Sequence, residues 1–389
     1  MTLDLDDSDR PLDDLKGHFD DFDGLTYLNC ANQGAIPRVT AQAIREALEL
    51  KTHPNRIRDD IYFRLPDRAR AAIAPLIGAD PETITLGTGE SHGAAVAALG
   101  LPWKSGDRVV LATSDFPSNF YIWSQAARLA GAVVDVVRPE RRAVTTEEIL
   151  EAIGPETRVV TCSLVDFGSG EVIDVERVAE VCTRAGIFLA VDATQAAGAM
   201  PLDTRGLGVG LLTVAGYKWM LAPYGTGYAS IHPDWMDRLE PRYVTWTAAA
   251  GAEKFNTMPR EGWQWAEGAR RFDAPETASF LNLTGLARSA EFLGELGVET
   301  VHSHITGLLA YLERNLPSLF RRRATPSRVA GPILSLESDV VSAVHAAYDR
   351  LIGAGIVVSL REDAIRVSPH IYNTREDMDR VLEILVEEA

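Results

Sequence analysis

The sequence predicts an α/β fold: a large domain with a mostly parallel seven-stranded sheet flanked by helices, then a smaller α+β C-terminal domain. Three observations carry this. Seven short runs rich in Val, Ile and Leu fall between residues 82 and 231, with helical stretches between most of them. Those runs are apolar almost throughout, as in strands covered on both faces. After Pro233 the alternation stops and a second pattern begins.

Taken in order, residues 1–24 form an acidic tail whose nine aspartates keep it solvated. A short strand, TYLN, starts at Thr26. From about Thr40 to Ile77 the pattern is helical, with a break near Pro54. ETITL (82–86) is a strand and SHGAAVAALG (91–100) a helix. Strands at 107–112, 132–137, 157–165 and 187–192 then alternate with helices at 118–131, 145–154 and 174–186. LLTV (211–214) and GYASI (227–231) complete the sheet. The large domain is assigned to 25–270 and the small one to 271–389. Within the latter, one long helix is expected from about Leu283 to Leu316, strands at 332–337, 355–360 and 364–369, and helices at 339–352 and 375–388. RRR at 321–323 reads as a solvated loop.

Composition narrows the function. Of 389 residues, 46% are hydrophobic and 24% charged, which is ordinary for a globular protein of two or three domains. Lys and Arg number 38 against 55 Asp and Glu, a net charge of -17. That disfavours nucleic acid and anionic membranes as partners. The three cysteines, Cys30, Cys162 and Cys182, form no CxxC pair. A disulfide scaffold and a cysteine zinc site are therefore not expected, and a reducing cytoplasm is. The acidic N-terminus has no apolar core of a signal peptide, and no apolar run reaches about 18 residues, so no membrane span is expected. His302 and His304, two apart, share no helix face, and no metal site is expected.

Residues 188–231 carry the chemistry. Asp192 ends an apolar strand, where a carboxylate is either a turn residue or faces the crevice at the strand ends. Lys218 follows another apolar strand and precedes Trp219, Met220 and Leu221. A lysine in that company either snorkels or has a depressed pKa. Together, an amine and a carboxylate at neighbouring strand ends are what a pyridoxal phosphate (PLP) site needs. The lysine makes the Schiff base, and the carboxylate keeps the pyridine nitrogen protonated. The turn LGTGES, opening a helix, offers a phosphate cradle from the N–H groups of Glu90 and Ser91 and the Ser91 hydroxyl. The same stretch reads G-x-S-x-G, so a serine hydrolase using Ser91, with His345 or His370, is the rival from another class.

With Asp192, Gln195 and Lys218 placed, the chain resembles the class V aminotransferase-fold PLP enzymes of fold type I. These include cysteine desulfurases, kynureninase and isopenicillin N epimerase-like proteins. The D-x-x-Q…Y-K…P-x-G-x-G spacing carries the resemblance, which runs from about Tyr27 to the C-terminus. It implies that Lys218 holds the cofactor, Asp192 pairs with its ring nitrogen and Gln195 approaches its phenolate oxygen. It further implies that Glu90, Ser91 and Tyr217 bind the phosphate, that Phe116 stacks on the ring, and that Thr277 reaches the neighbouring subunit's phosphate. Arg366 is the implied grip on the substrate carboxylate, with Asn32 and Trp246 also toward substrate. A homodimer with sites at the subunit interface follows from the same resemblance.

The chain departs from the desulfurases. Tyr217 stands where they have His, Leu164 where many relatives have Asn or His, and the turn SLREDAI has no cysteine loop. The expected activity is therefore cleavage of a C–S bond by β-elimination from an S-cysteine conjugate, in natural-product metabolism. Racemisation of the isopenicillin N epimerase kind, kynureninase-like hydrolysis and transamination are the alternatives.

Overall fold

The computed structural model describes residues 14–140, 143–257, 260–276, 279–325 and 329–386. In chain order the elements are β1 (Thr26–Tyr27), α1 (Arg38–Thr52), α2 (Ile61–Ile73), β2 (Ile84–Gly87), α3 (Glu90–Gly100), β3 (Arg108–Ala112), α4 (Pro117–Ala130), β4 (Val133–Val137), α5 (Thr146–Glu151), β5 (Thr157–Ser163), α6 (Val175–Ala185) and β6 (Phe188–Asp192). There follow α7 (Thr204–Leu207), β7 (Leu211–Ala215), β8 (Gly227–Ile231), α8 (Pro233–Met236), α9 (Phe280–Leu296), α10 (Val298–Arg314), β9 (Arg321–Arg322), β10 (Leu334–Glu337), α11 (Val341–Gly353), β11 (Ile356–Val357), β12 (Ser359–Arg361), β13 (Ala364–Val367) and α12 (Arg375–Val386).

The main sheet has seven strands among the described residues, in the order β2-β8-β7-β6-β5-β3-β4. Only β8 runs against the rest. Its central strands are buried along their whole length, which is why their sequences show no polar alternation. Local chemistry sets the helix ends. Thr145 and Glu148 form a reciprocal capping box on α5, and the Asp174 side chain caps α6. Gly131 and Gly186 end α4 and α6 in the left-handed conformation.

Three expectations are corrected. The 1–24 segment is not solvated throughout, because His18 and Phe19 are buried against Phe292 and Tyr372. The long helix over 283–316 is two helices, because Gly297, at φ +79°, breaks it between α9 and α10. The 321–323 arginines are not a solvated loop. Arg321 and Arg322 pair with β10, Arg322 bonds Glu313, and Arg323 lies buried against Glu362 and the Arg361 carbonyl.

The N-terminal segment ties the two sheets together. β1 pairs in parallel with β11, and the Cys30 N–H donates to the Ser368 carbonyl. The Gly34 N–H donates to the Tyr217 carbonyl, and a Cβ on Gly34 would lie 2.0 Å from the Lys218 carbonyl oxygen. Only glycine allows that approach. No described helix is long and apolar enough to cross a membrane.

A buried ion pair anchors β2. Arg70 of α2 pairs with Asp273, and its Nε donates to the Ile84 carbonyl at 2.9 Å. Asp273 in turn accepts the Leu86 N–H at 2.9 Å. Arg70→Met, which strands the Asp273 carboxylate, should cost about 3–5 kcal/mol in urea unfolding. Arg70→Met with Asp273→Asn should cost less than the single change. Equal or greater loss in the double variant would refute this account of the pair.

Candidate active site

Five strands of the main sheet deliver side chains to one crevice at their carboxyl ends. The turn after β2 brings Thr88 to Ser91, the turn after β3 brings Phe116, and β5 leads to Ser163, Val165 and Phe167. Asp192 ends β6, and Lys218 lies three residues beyond β7. They enclose a cavity of about 320 Å³ whose wall includes Glu90, Phe116, Asp192, Gln195, Tyr217 and Lys218.

The strand ends are cross-linked. The Thr194 N–H donates to Asp192 Oδ1 at 2.8 Å, and the Ala215 N–H donates to Thr194 Oγ1 at 3.1 Å. Thr194 thus locks the Asp192 turn to the strand that carries Lys218. Lys218 is 7% exposed, and its Nζ lies 5.3 Å from the Phe116 ring centre and 5.7 Å from that of Tyr217. Phe116 meets Phe167 edge-on at 5.3 Å.

Burial dominates the electrostatics. It lowers the Lys218 amine from 10.5 to about 8, and the Asp192 charge is the strongest influence opposing it. Burial raises Asp192, against the pull of the Thr194 hydrogen bonds and of Lys218. Asp115, which accepts from the Ser163 N–H and from Asn119 Nδ2, is raised by burial to about 7. Glu90 is raised well above the carboxylate range by burial and then by the Asp192 charge. Its Oε2 accepts from the Ser91 hydroxyl at 3.3 Å, while Oε1 has no partner among the described residues.

Gln195 is fixed at both ends. Its Oε1 accepts from the Trp219 indole N–H at 2.7 Å, and its Nε2 donates to the Ala31 carbonyl at 3.1 Å. Arg366 is buried behind Phe167 rather than on the cavity wall. It donates to the Phe167 carbonyl at 2.6 Å and to Asn29 Oδ1 at 3.3 Å, and its Nε has no partner among the described residues. Burial and then the charge of Arg361 lower it to about 10.

Most of the sequence-predicted residues therefore converge, but not all. Asn32 is exposed on the N-terminal loop and is not on the cavity wall. Trp246 lies elsewhere, packed on Tyr62, Phe63 and Phe255 beside a second cavity of about 390 Å³. Thr277 lies outside the described residues. The serine-hydrolase arrangement is not assembled. Ser91 donates to Glu90, His345 bonds the exposed Asp363, and His370 is buried against Trp219. Sequence reasoning missed Thr194, although its place two residues after Asp192 is an Asx-turn signal. It also missed Phe167 and Tyr224, the latter 4.5 Å from Tyr217, which no short-range pattern marks.

The family model for aminotransferase class-V matches residues 56–381. The isopenicillin N epimerase of Amycolatopsis lactamdurans is 26% identical over 384 residues, covering 93% of this chain and 95% of that protein. Among solved structures, a mutant of C-DES with glycine covalently linked to the PLP cofactor superposes with a TM-score of 0.85 at 25% identity, covering 96% of this chain and 99% of that one. The cystine C–S lyase C-DES with its product cysteine persulfide gives 0.83 at 25% identity, covering 94% and 98%.

In cofactor-free protein the Lys218 amine should become reactive as pH rises through about 8, rather than near its ordinary 10.5. Reductive methylation followed by peptide mass spectrometry reads that midpoint. Asp192→Asn removes the charge that most favours the protonated amine, so it should move the midpoint further down. A midpoint above 10, or one that rises in Asp192→Asn, would refute the assignment.

Proposed function

The chain belongs to the class-V aminotransferase family, and from that premise we propose that it cleaves the C–S bond of an S-substituted cysteine by β-elimination. It is a PLP-dependent enzyme. The observation that carries the site assignment is the buried Lys218 amine facing the buried Asp192 carboxylate across strands locked by Thr194. When bound, PLP supplies an electron sink for the pair left at the substrate α-carbon.

The residues present fit that group. Lys218 Nζ, largely neutral above pH 8, would be the covalent anchor for that group and the base for the α-proton. Asp192 would keep the pyridine nitrogen of that group protonated, and the remaining N–H of Gln195 would serve its phenolate oxygen. The N–H groups of Glu90 and Ser91, at the start of α3, hold the phosphate with the Ser91 and Tyr217 hydroxyls. The Glu90 side chain, driven toward its neutral form, does not repel that dianion. Phe116, on the cavity wall beside Lys218, would cover one face of the ring. Arg366 receives the α-carboxylate, exchanging the Phe167 carbonyl for a charged acceptor.

Elimination is favoured over transfer of sulfur to a cysteine of the enzyme by the state of the thiols. β12 and β13 are joined by the two residues Glu362 and Asp363, both at positive φ, a turn with no cysteine. Cys30 is fully buried and its thiol is pushed up by burial, so it is a poor nucleophile. The likeness to a cystine C–S lyase supports the same reading. The epimerase relative supports a place in natural-product metabolism. We read the enzyme as a homodimer, with the exposed Tyr224, Tyr243, Val244 and Trp246 toward a second copy. The three free cysteines support a cytoplasmic setting.

Incubation with S-substituted cysteines should release thiol, pyruvate and ammonia in equal amounts. Exchange of the α-hydrogen with solvent deuterium, without pyruvate, would instead favour the epimerase chemistry. Conversion of the cofactor to its amine form would favour an aminotransferase. Lys218→Ala should abolish borohydride-fixable attachment of the cofactor, read by intact mass. Arg366→Ala should weaken carboxylate-bearing substrates by about 2–5 kcal/mol; unchanged KM and kcat would remove it from the site.

A further inference from the structure

We propose that Trp219 is a positioning residue: its indole N–H fixes the Gln195 side-chain amide in the one orientation that offers the cofactor cavity a hydrogen-bond donor and no acceptor. The inference rests on the reading above that Gln195 meets the cofactor's phenolate oxygen. An indole nitrogen donates and never accepts. The Gln195 atom 2.7 Å from it is therefore the carbonyl oxygen. The Ala31 carbonyl accepts and never donates, so the atom 3.1 Å from it is the amide nitrogen. Two independent partners demand the same orientation. A flipped amide would set oxygen against oxygen and N–H against N–H in a site where Gln195 is 4% exposed. The amide oxygen is thus spent, and of the two amide hydrogens one serves Ala31 and one remains for the cavity that Gln195 lines.

Trp219 is itself held from two sides. It is fully buried. The His370 ring stacks on it at 5.8 Å and on Tyr372 at 5.7 Å. The Ile371 N–H donates to His370 Nδ1, so the other ring nitrogen carries the proton and donates to the Trp219 carbonyl at 3.3 Å. Gly198, at φ +88°, packs so closely that a Cβ there would lie 2.6 Å from the same carbonyl oxygen. The end of β13 and the turn after β6 together set the indole, and the indole sets the amide. A donor aimed at a phenolate stabilises its anionic form and lowers the pH at which it titrates.

The test is the pH titration of the visible absorption of PLP-loaded enzyme. Gln195→Leu should raise the midpoint by about one unit. Trp219→Phe should raise it by at least half as much. Replacing Trp219 with 3-benzothienylalanine, which exchanges N–H for sulfur and keeps the ring shape, should do the same, and guards against a packing defect in the phenylalanine variant. In a Gln195→Leu background neither Trp219 change should add a further shift. A wild-type midpoint in both Trp219 variants, with Gln195→Leu shifted, would overturn the proposal while leaving the Gln195 contact standing. A Trp219 shift that persists in Gln195→Leu would overturn it as well. An unmoved midpoint in Gln195→Leu would remove the Gln195 contact itself, and the positioning role with it.

Discussion

The site depends on keeping one amine among several carboxyl groups in a dry cavity. Lys218 is the buried cation on the cavity wall, and it faces Asp192 and Glu90, with Asp115 behind Asp192. Ionised groups are costly to bury unless paired. The pairing is shared unequally. Asp192 has two hydrogen bonds from Thr194 and the attraction of Lys218, so its anion is the best supported. Glu90 has one hydroxyl and a repelling neighbour, so it moves toward its acid form. The same low dielectric lowers Lys218. One physical cause, desolvation, thereby shifts the amine toward its neutral form and removes negative charge from Glu90.

Much of this was legible in the sequence because the sheet is buried on both faces. A strand with no wet side must read as a continuous apolar run, and a polar residue at its end then stands out. Asp192 and Lys218 are found that way. The turn after β2 is legible for a related reason: glycines between an apolar run and a helix mark backbone N–H groups left free. The break at Gly297 was not, because the apolar spacing of α9 continues into α10, and a single glycine is tolerated inside many helices. The arginines at 321–323 misled because their partners, Glu313 and Glu362, come from other elements.

The support behind the site was least legible. It is made by the N-terminal segment and the small sheet, through contacts more than 300 residues apart, such as Ala31 N–H to Ser368 Oγ and Arg366 to Asn29. Residue types give no hint of such pairings, because each side chain is ordinary in its own neighbourhood. Trp246 was marked only by the family resemblance, and in the structure it packs with Tyr62 and Phe63 beside the second cavity. Large aromatics bury area wherever area is to be buried, so residue type alone does not say which cavity they serve.

Arg366 joins these threads. In the structure it is a guanidinium supplied with neutral acceptors, the Phe167 carbonyl and the Asn29 side chain, and left with one buried N–H unpaired. A carboxylate makes bonds about twice as strong as a neutral carbonyl does, and offers two parallel acceptors. Under the proposed roles, a substrate carboxylate takes the place of the Phe167 carbonyl at Arg366. The group displaced is the backbone of Phe167, whose ring packs edge-on against Phe116 beside Lys218. Release of that carbonyl bears on the aromatic wall over the amine. Under the proposed roles, recognition of the substrate's acid group and the setting of the ring that covers the cofactor are then one mechanical event, transmitted through a single residue that the sequence did not mark.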